Sequence, residues 1–356
     1  MKKLFNLTLL YCFIITFACC IEECSEVIRY FRNYTCKSEE VFDKGSAGKV
    51  FKVLKDQKLY MLKHQPKSAR SEAELKYLEK VKNVPYVIQL LEEKTVGNDV
   101  FTIINFGHKG SMLDVLLNEE DYFLNDIIVM KMFHKILEGV IEIHKRNIVH
   151  ADLKLENIVV DDQDDPYIID FDLAVEMNSS NRGRGSLKYA APEVLNAMHN
   201  RKPIIFDEKI DTYSLGVILY ALMTESFPFD IEPRNDNLSD IVKNSPLVFE
   251  EGFNEDIKKM ILSCIQVKEF RTTTEQLLEK VTKFLLKPTH KALIKEEVYT
   301  MNEMEDENIM KEEASELLDT DGSFVIPEEP IKKIKESINR IKCTFLILLS
   351  IYFIGF

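Results

Sequence analysis

The stretch IVHADLKLENIVVDDQDDPYIIDFDLA, residues 148–174, decides the reading of this chain. It begins with an apolar pair and then places Asp152, Lys154 and Asn157 in one short loop. Two apolar runs, IVV and YII, flank an acidic turn, read as paired strands, and deliver Asp170 back toward that loop. An ordinary acidic surface loop has no reason to combine these groups so closely. Asn157 and Asp170 carry oxygens suited to a hard divalent cation, and Asp152 is placed to accept a proton.

Outward from that stretch the chain divides into two kinds of sequence. Upstream, residues 41–54 and 59–63 carry strand patterns, with Gly45 and Gly48 in the turn between the first two strands. Residues 72–81 place Leu75, Leu78 and Val81 at helical spacing, and residues 100–106 form a further strand. Gly107 and Gly110 then break the pattern, as a hinge does. From Met112 onward the chain reads mainly helical, with a long amphipathic helix over 127–145 and further helices over 254–266 and 274–286. Residues 210–224 are nearly continuously apolar, which predicts a helix buried on all sides. A β-rich segment followed by a larger helical one is the α+β pattern.

The loop and its return together resemble the catalytic and metal-binding loops of eukaryotic protein kinases, HRDLKxxN followed by DFG. Ala151 stands where that pattern has arginine, and Asp172 where it has glycine. The resemblance covers residues 38–287. It implies a bilobal kinase fold, with a small β-rich lobe over about 38–106 and a larger helical lobe over about 108–287. It also implies phosphoryl transfer from ATP, with Mg²⁺ or Mn²⁺, to Ser or Thr hydroxyls of protein substrates.

Roles follow residue by residue. Asp43, Gly45, Ser46, Ala47, Gly48 and Val50 resemble the glycine-rich loop over the phosphates, with Asp43 at the position of the family's first glycine. Lys63 matches the strand lysine that neutralises the α- and β-phosphates, and Glu74 is its expected helix partner, with Glu72 as the fallback. Ile104, Asn105 and Phe106 fall at the hinge that binds adenine through backbone groups. Asp152 would take the acceptor proton, Lys154 would neutralise the moving phosphoryl group, and Asn157 and Asp170 would hold the metal. A lysine at position 154 looks like a serine/threonine kinase rather than a tyrosine kinase. His150 reads as a structural histidine. Ser186 should bond Asp152 and Lys154, Glu193 should pair with Arg271, and Asp211 should brace the catalytic loop, with Tyr213 at the family's tryptophan position. Glu156 could meet basic residues of a peptide.

Ala151 carries its own expectation. The usual arginine reads a phosphate on the activation segment, so its loss predicts activity without that modification, unless Arg182 and Arg184 compensate. The departures at Asp43, Ala151 and Asp172 also favour a competing reading, a nucleotide-binding pseudokinase serving as a scaffold. The complete set Lys63, Glu74, Asp152, Asn157 and Asp170 opposes it. No motif excludes a non-protein acceptor.

The rest of the chain bears on location. It has 356 residues, 46% hydrophobic and 29% charged, with a net charge of −13. That acidity argues against a nucleic-acid partner, which needs clustered cations to release counterions. Residues 1–21 have a basic start and an apolar run, the pattern of a signal peptide or an uncleaved signal anchor. Residues 288–342 read as an acidic, largely disordered linker. The tail, 343–356, is almost wholly apolar and as a helix measures about 21 Å, against about 30 Å for a hydrocarbon core. It predicts membrane association, by a short span or a lipid-anchor signal. The lysines and arginines flanking it favour a cytosolic side, which leaves open a kinase on the cytosolic face of an internal membrane. In a secretory setting Cys24 and Cys36 are candidates to pair, an outcome the sequence leaves open, Asn33, Asn178 and Asn237 would be glycan acceptors, and Cys264 would stay a buried thiol.

Overall fold

The computed structural model of the chain describes residues 24, 28–45, 48–105, 109–118, 125–231, 238–288 and 290. Residues 1–21, read as a signal peptide or signal anchor, the acidic stretch beyond residue 290 and residues 343–356 lie outside those residues, as do Ser46, Ala47, Phe106 and Asn237. Among the described residues no helix is long and apolar enough to cross a membrane.

The β-rich segment folds as one antiparallel sheet of five strands: β1 (Thr35–Gly45), β2 (Gly48–Lys55), β3 (Lys58–Pro66), β4 (Leu90–Val96) and β5 (Asp99–Asn105), in the order β1-β2-β3-β5-β4. Register decides which residues share a face. Phe51 pairs with Leu62, and Leu62 with Ile103, so these three point to one side. Val50 pairs with Lys63, and both point to the other. The apolar face is covered by the chain that precedes β1: Cys24, Phe31 and Tyr34 pack with Phe51, Val53, Leu62, Phe101 and Ile103. A disulfide between Cys24 and Cys36 closes this cover onto β1. With its ends twelve positions apart, such a link contributes about 3 kcal/mol in the chain-entropy account.

One helix, α1 (Ala69–Lys80), follows β3. It starts three residues before the apolar periodicity does, because Ser68 caps it in a reciprocal bond pair with Ser71. Serine at that third position hides the capping signature, which usually shows glutamate or glutamine. Of the two glycines read as a hinge, Gly107 lies outside the described residues. Gly110 has φ +90° and belongs to a short strand, β6 (Gly110–Ser111).

Helices dominate thereafter. After α2 (Met112–Asn118), α3 (Asp126–Lys145) is N-capped by Asn125 and buries Val129, Met130, Phe133, Ile136, Leu137, Val140 and Ile143. Each large side chain so buried is worth about 1.5–3 kcal/mol before entropy is counted. Short strands β7 (Ile148–Val149), β8 (Ile158–Val160) and β9 (Pro166–Ile168) frame the diagnostic loop, with β6-β8-β9 forming one sheet. Then come β10 (Val175–Glu176), paired with β7, and β11 (Ser180–Arg182), paired with β12 (Pro203–Ile205). Between these lies α4 (Pro192–Asn200); α5 (Glu208–Thr224), α6 (Leu238–Asn244), α7 (Glu255–Cys264) and α8 (Thr274–Leu285) complete the lobe. α5 is buried on every face from Ile210 to Leu222, as its composition predicts, and packs on α7, while α3 packs on α8. The result is the expected bilobal kinase fold. Cys264 is a buried free thiol whose pKa burial pushes up to about 12.

Candidate active site

The loop of the diagnostic stretch is held from below. Asp211, fully buried in α5, accepts hydrogen bonds from the backbone N–H groups of His150 (2.8 Å) and Ala151 (2.9 Å), and its Oδ2 lies 2.8 Å from His144 Nε2. Ala151 sits at φ +65°, a strained conformation for a residue with a Cβ. The paired N–H groups aimed at one buried carboxylate explain why it persists. His150 is wholly buried, with Nε2 3.0 Å from the Ile169 carbonyl oxygen and its ring against Phe171, so it joins the loop to the segment carrying Asp170. That is the structural role its sequence context suggests.

Asp152 is consequently fixed in orientation. Its Oδ1 accepts from the Ser186 N–H at 2.7 Å, and its Oδ2 accepts from Asn157 Nδ2 at 3.2 Å and lies 3.3 Å from Lys154 Nζ. Lys154 also donates to Ser186 Oγ at 3.2 Å. Ser186 thus contacts both residues, but it reaches Asp152 through its backbone rather than its hydroxyl. Gly185, at φ +114°, turns the chain so that this N–H faces the carboxylate.

Across the cleft, Lys63 Nζ and Glu74 Oε1 are 2.6 Å apart, with Glu74 buried and its second oxygen accepting from Gln65 Nε2 at 2.9 Å. Glu72 instead pairs with Lys67 on the surface, 3.5 Å away. The early start of α1 is what brings Glu74 within reach over so short a sequence distance. Gln65, a second anchor for Glu74, carries no sequence signature. Asp170 lies at φ +65°, its Oδ1 4.0 Å from Lys63 Nζ and buried without a hydrogen-bond donor.

The glycine hairpin closes one edge. Gly45 and Gly48 pair at the end of β1 and β2, and Gly48 has φ +115°; a Cβ there would lie 2.2 Å from the His64 carbonyl oxygen. Only glycine fits. Val50 faces the same side as Lys63. Asp43 lies in β1. Ile104 and Asn105 end β5 at the expected hinge, and Asn105 Oδ1 is buried without a partner.

These observations establish a largely buried lysine paired to a helix glutamate, opposite a loop carboxylate, an amide and a second carboxylate. Residues 37–285 match the protein kinase domain. The chain belongs to the protein kinase family. It is 30% identical over 198 residues to a probable serine/threonine-protein kinase KIN1 homolog of Enterocytozoon bieneusi, covering 55% of this chain and 32% of that protein. It is 32% identical over 162 residues to a carbon catabolite-derepressing protein kinase of Secale cereale, covering 45% of this chain and 30% of that one. A probable serine/threonine-protein kinase 2 of Plasmodium falciparum is 30% identical over 230 residues, covering 61% of this chain and 42% of its own length. The chain therefore spans less than half the length of these relatives.

Within this kinase domain the two departures take physical form. Asp172 is buried and its Oδ2 lies 2.5 Å from Arg70 Nη2 of α1. Burial, then the neighbouring Asp170, push its pKa up to about 6, against the pull of Arg70 and Lys63. Position 151 supplies no cation, and Arg184 bonds Asn181 and the Arg182 carbonyl within its own segment. Glu193 at the start of α4 pairs with Arg271 through both oxygens, at 2.7 and 3.0 Å, and the guanidinium lies 5.0 Å from the Tyr213 ring centroid. Glu156 accepts from the Tyr189 hydroxyl at 3.0 Å, so it is engaged within the domain.

The donor set suits a divalent cation held at Asp170 and Asn157. The Asp170 oxygen lacking a donor is the unsatisfied atom such an ion would satisfy. Two protein ligands leave most positions to phosphate oxygens and water, the habit of Mg²⁺.

Proposed function

We propose that the chain phosphorylates Ser or Thr hydroxyls of proteins, using ATP and Mg²⁺. The observation that carries this reading is the Lys63–Glu74 pair at 2.6 Å, formed together with an oriented Asp152. Lys63 would hold the α- and β-phosphates, its position fixed by Glu74 and Gln65. Asp152 would orient the acceptor hydroxyl and receive its proton as the new P–O bond forms and the bond to the departing ADP oxygen breaks. Lys154 would sit beside the transferred group and offset its charge. Asp170 and Asn157 would hold the metal ion, whose positive charge would offset that of the phosphates. The test is transfer of the γ-phosphoryl label from ATP to mixed protein substrates. Label on Ser and Thr is expected. Nucleotide binding, seen as a raised melting temperature, with no label would establish the scaffold reading instead.

We also place the domain in the secretory pathway, attached to a membrane through the tail. The Cys24–Cys36 bond supports an oxidising compartment, and Asn33 and Asn178 are both exposed. Alkylation of protein from its native membranes, without prior reduction, should leave Cys24 and Cys36 unlabelled. Label on both would reject this placement in favour of the cytosolic face.

A further inference from the structure

We propose that fixed charges, rather than an added phosphate, dock α1 onto the activation segment, and that Arg70, Lys76, Lys80, Asp172 and Glu176 are positioning residues for Glu74. The inference rests on the kinase reading above. Arg70, Glu74, Tyr77 and Lys80 recur along α1 at intervals of four, three and three, so they form one stripe of the helix. Glu74 on that stripe reaches Lys63. The others reach the segment: Arg70 to Asp172 at 2.5 Å and Lys80 to Glu176 at 3.5 Å, while Lys76 beside the stripe pairs with Glu176 at 2.9 Å. Tyr77 on the same stripe is buried.

The segment end of this contact is anchored. Glu176 lies in β10, paired with Ile148 of β7, two residues ahead of His150 and four ahead of Asp152. A helix tied to Glu176 is therefore tied to the strand that leads into the catalytic loop. Beyond it, β11 pairs with β12 and pins the segment again. A phosphate adds negative charge to order such a segment. Here Asp172 and Glu176 already carry that charge, and they meet cations on the helix that bears Glu74. Ala151 offers no cation to read a phosphate, which matches a segment that does not use one. Asp172, the departure from glycine, thereby gains a purpose: it supplies the inner anchor, and Glu176 the outer one.

The experiment uses the full chain, treated with a protein phosphatase until mass analysis finds no phosphate on Ser179 or Ser180. Amide hydrogen exchange over α1 and the KM for ATP are measured for the wild type, Arg70→Ala, Glu176→Lys, and Glu176→Lys combined with Lys76→Glu and Lys80→Glu. The dephosphorylated wild type should keep α1 protected. Arg70→Ala and Glu176→Lys should each speed exchange there by roughly tenfold, the scale of a lost local contact, and raise KM for ATP. The reversed-charge combination should restore both values. Glu176 and its lysines are exposed, so that arm keeps its meaning even if Arg70→Ala, which strands buried Asp172, fails to fold. Unchanged exchange in Glu176→Lys, no rescue by the reversal, or loss of α1 protection on dephosphorylation overturns the proposal. A wild type that transfers no label overturns the kinase reading instead, and exchange over α1 still decides the docking.

Discussion

Asp152→Asn should lower kcat by about 10²–10⁴-fold, the usual contribution of a positioned general base, while leaving the KM for ATP nearly unchanged. The substitution is isosteric. An asparagine oxygen can still accept from the Ser186 N–H, so the loop keeps that anchor. Its other end becomes a donor facing Lys154 Nζ and Asn157 Nδ2, both donors themselves. The variant therefore loses the proton acceptor and slightly loosens the two residues beside it. ATP should still raise the melting temperature, because in the proposed mechanism the nucleotide would be held from Lys63 and the hinge. Asp170→Ala offers the contrast: it removes the buried oxygen that no donor satisfies, so metal dependence and kcat should fail together. Asp152→Asn turning over within about threefold of wild type would be incompatible with general-base assistance of the expected size.

The contrast between these variants shows which parts of the site sequence alone can reveal. Asp152, Lys154 and Asn157 share one loop, and Asp170 returns on a hairpin with clear strand patterns, so their proximity is nearly a local property. Lys63 and Glu74 lie eleven positions apart, and the pair was legible once a strand and a helix were read between them. Arg70 with Asp172, and Lys76 with Glu176, are a hundred positions apart or close to it. Nothing in either local sequence distinguishes those charges from a solvated helix face. The strands β7, β10, β11 and β12 escape for a related reason: two or three residues carry no period, and each exists only because its partner is there. The long helices show the opposite case. α3, α5, α7 and α8 were legible to within a few residues because their apolar faces repeat over three turns or more. The cover over the small lobe was only half visible. Cys24 and Cys36 were a candidate pair whose bond the sequence left open until the structure showed it, and Phe31 and Tyr34 look like ordinary residues of a short polar stretch until the sheet face beneath them is known.

Arg271→Ala should produce the largest loss of stability, about 3–5 kcal/mol, as expected when one partner of a buried ion pair is removed. The Arg271 side chain is completely buried, whereas Glu193 is 24% exposed. The guanidinium serves more than the carboxylate: it also donates to the Gln266 carbonyl at 3.1 and 2.8 Å and to the Lys209 carbonyl at 2.7 Å. Truncation would strand one charge and two backbone acceptors in a space that water does not easily fill, and would remove the group stacked on Tyr213. Arg271→Lys keeps a positive charge but cannot reproduce the planar fork, so it should recover only a minor part of the loss. Glu193→Gln leaves the two carbonyl interactions intact and should cost less than Arg271→Ala. For a domain of this size the alanine variant corresponds to a fall of roughly 10 °C in melting temperature. A fall below about 2 °C would mean that the pair is replaced by solvent at little cost. The damage should also reach the chemistry, because Glu193 begins α4 directly after the segment bearing Ser186. With Glu193 released, the Ser186 N–H that orients Asp152 loses its downstream anchor, so kcat should fall below the temperature at which the domain melts.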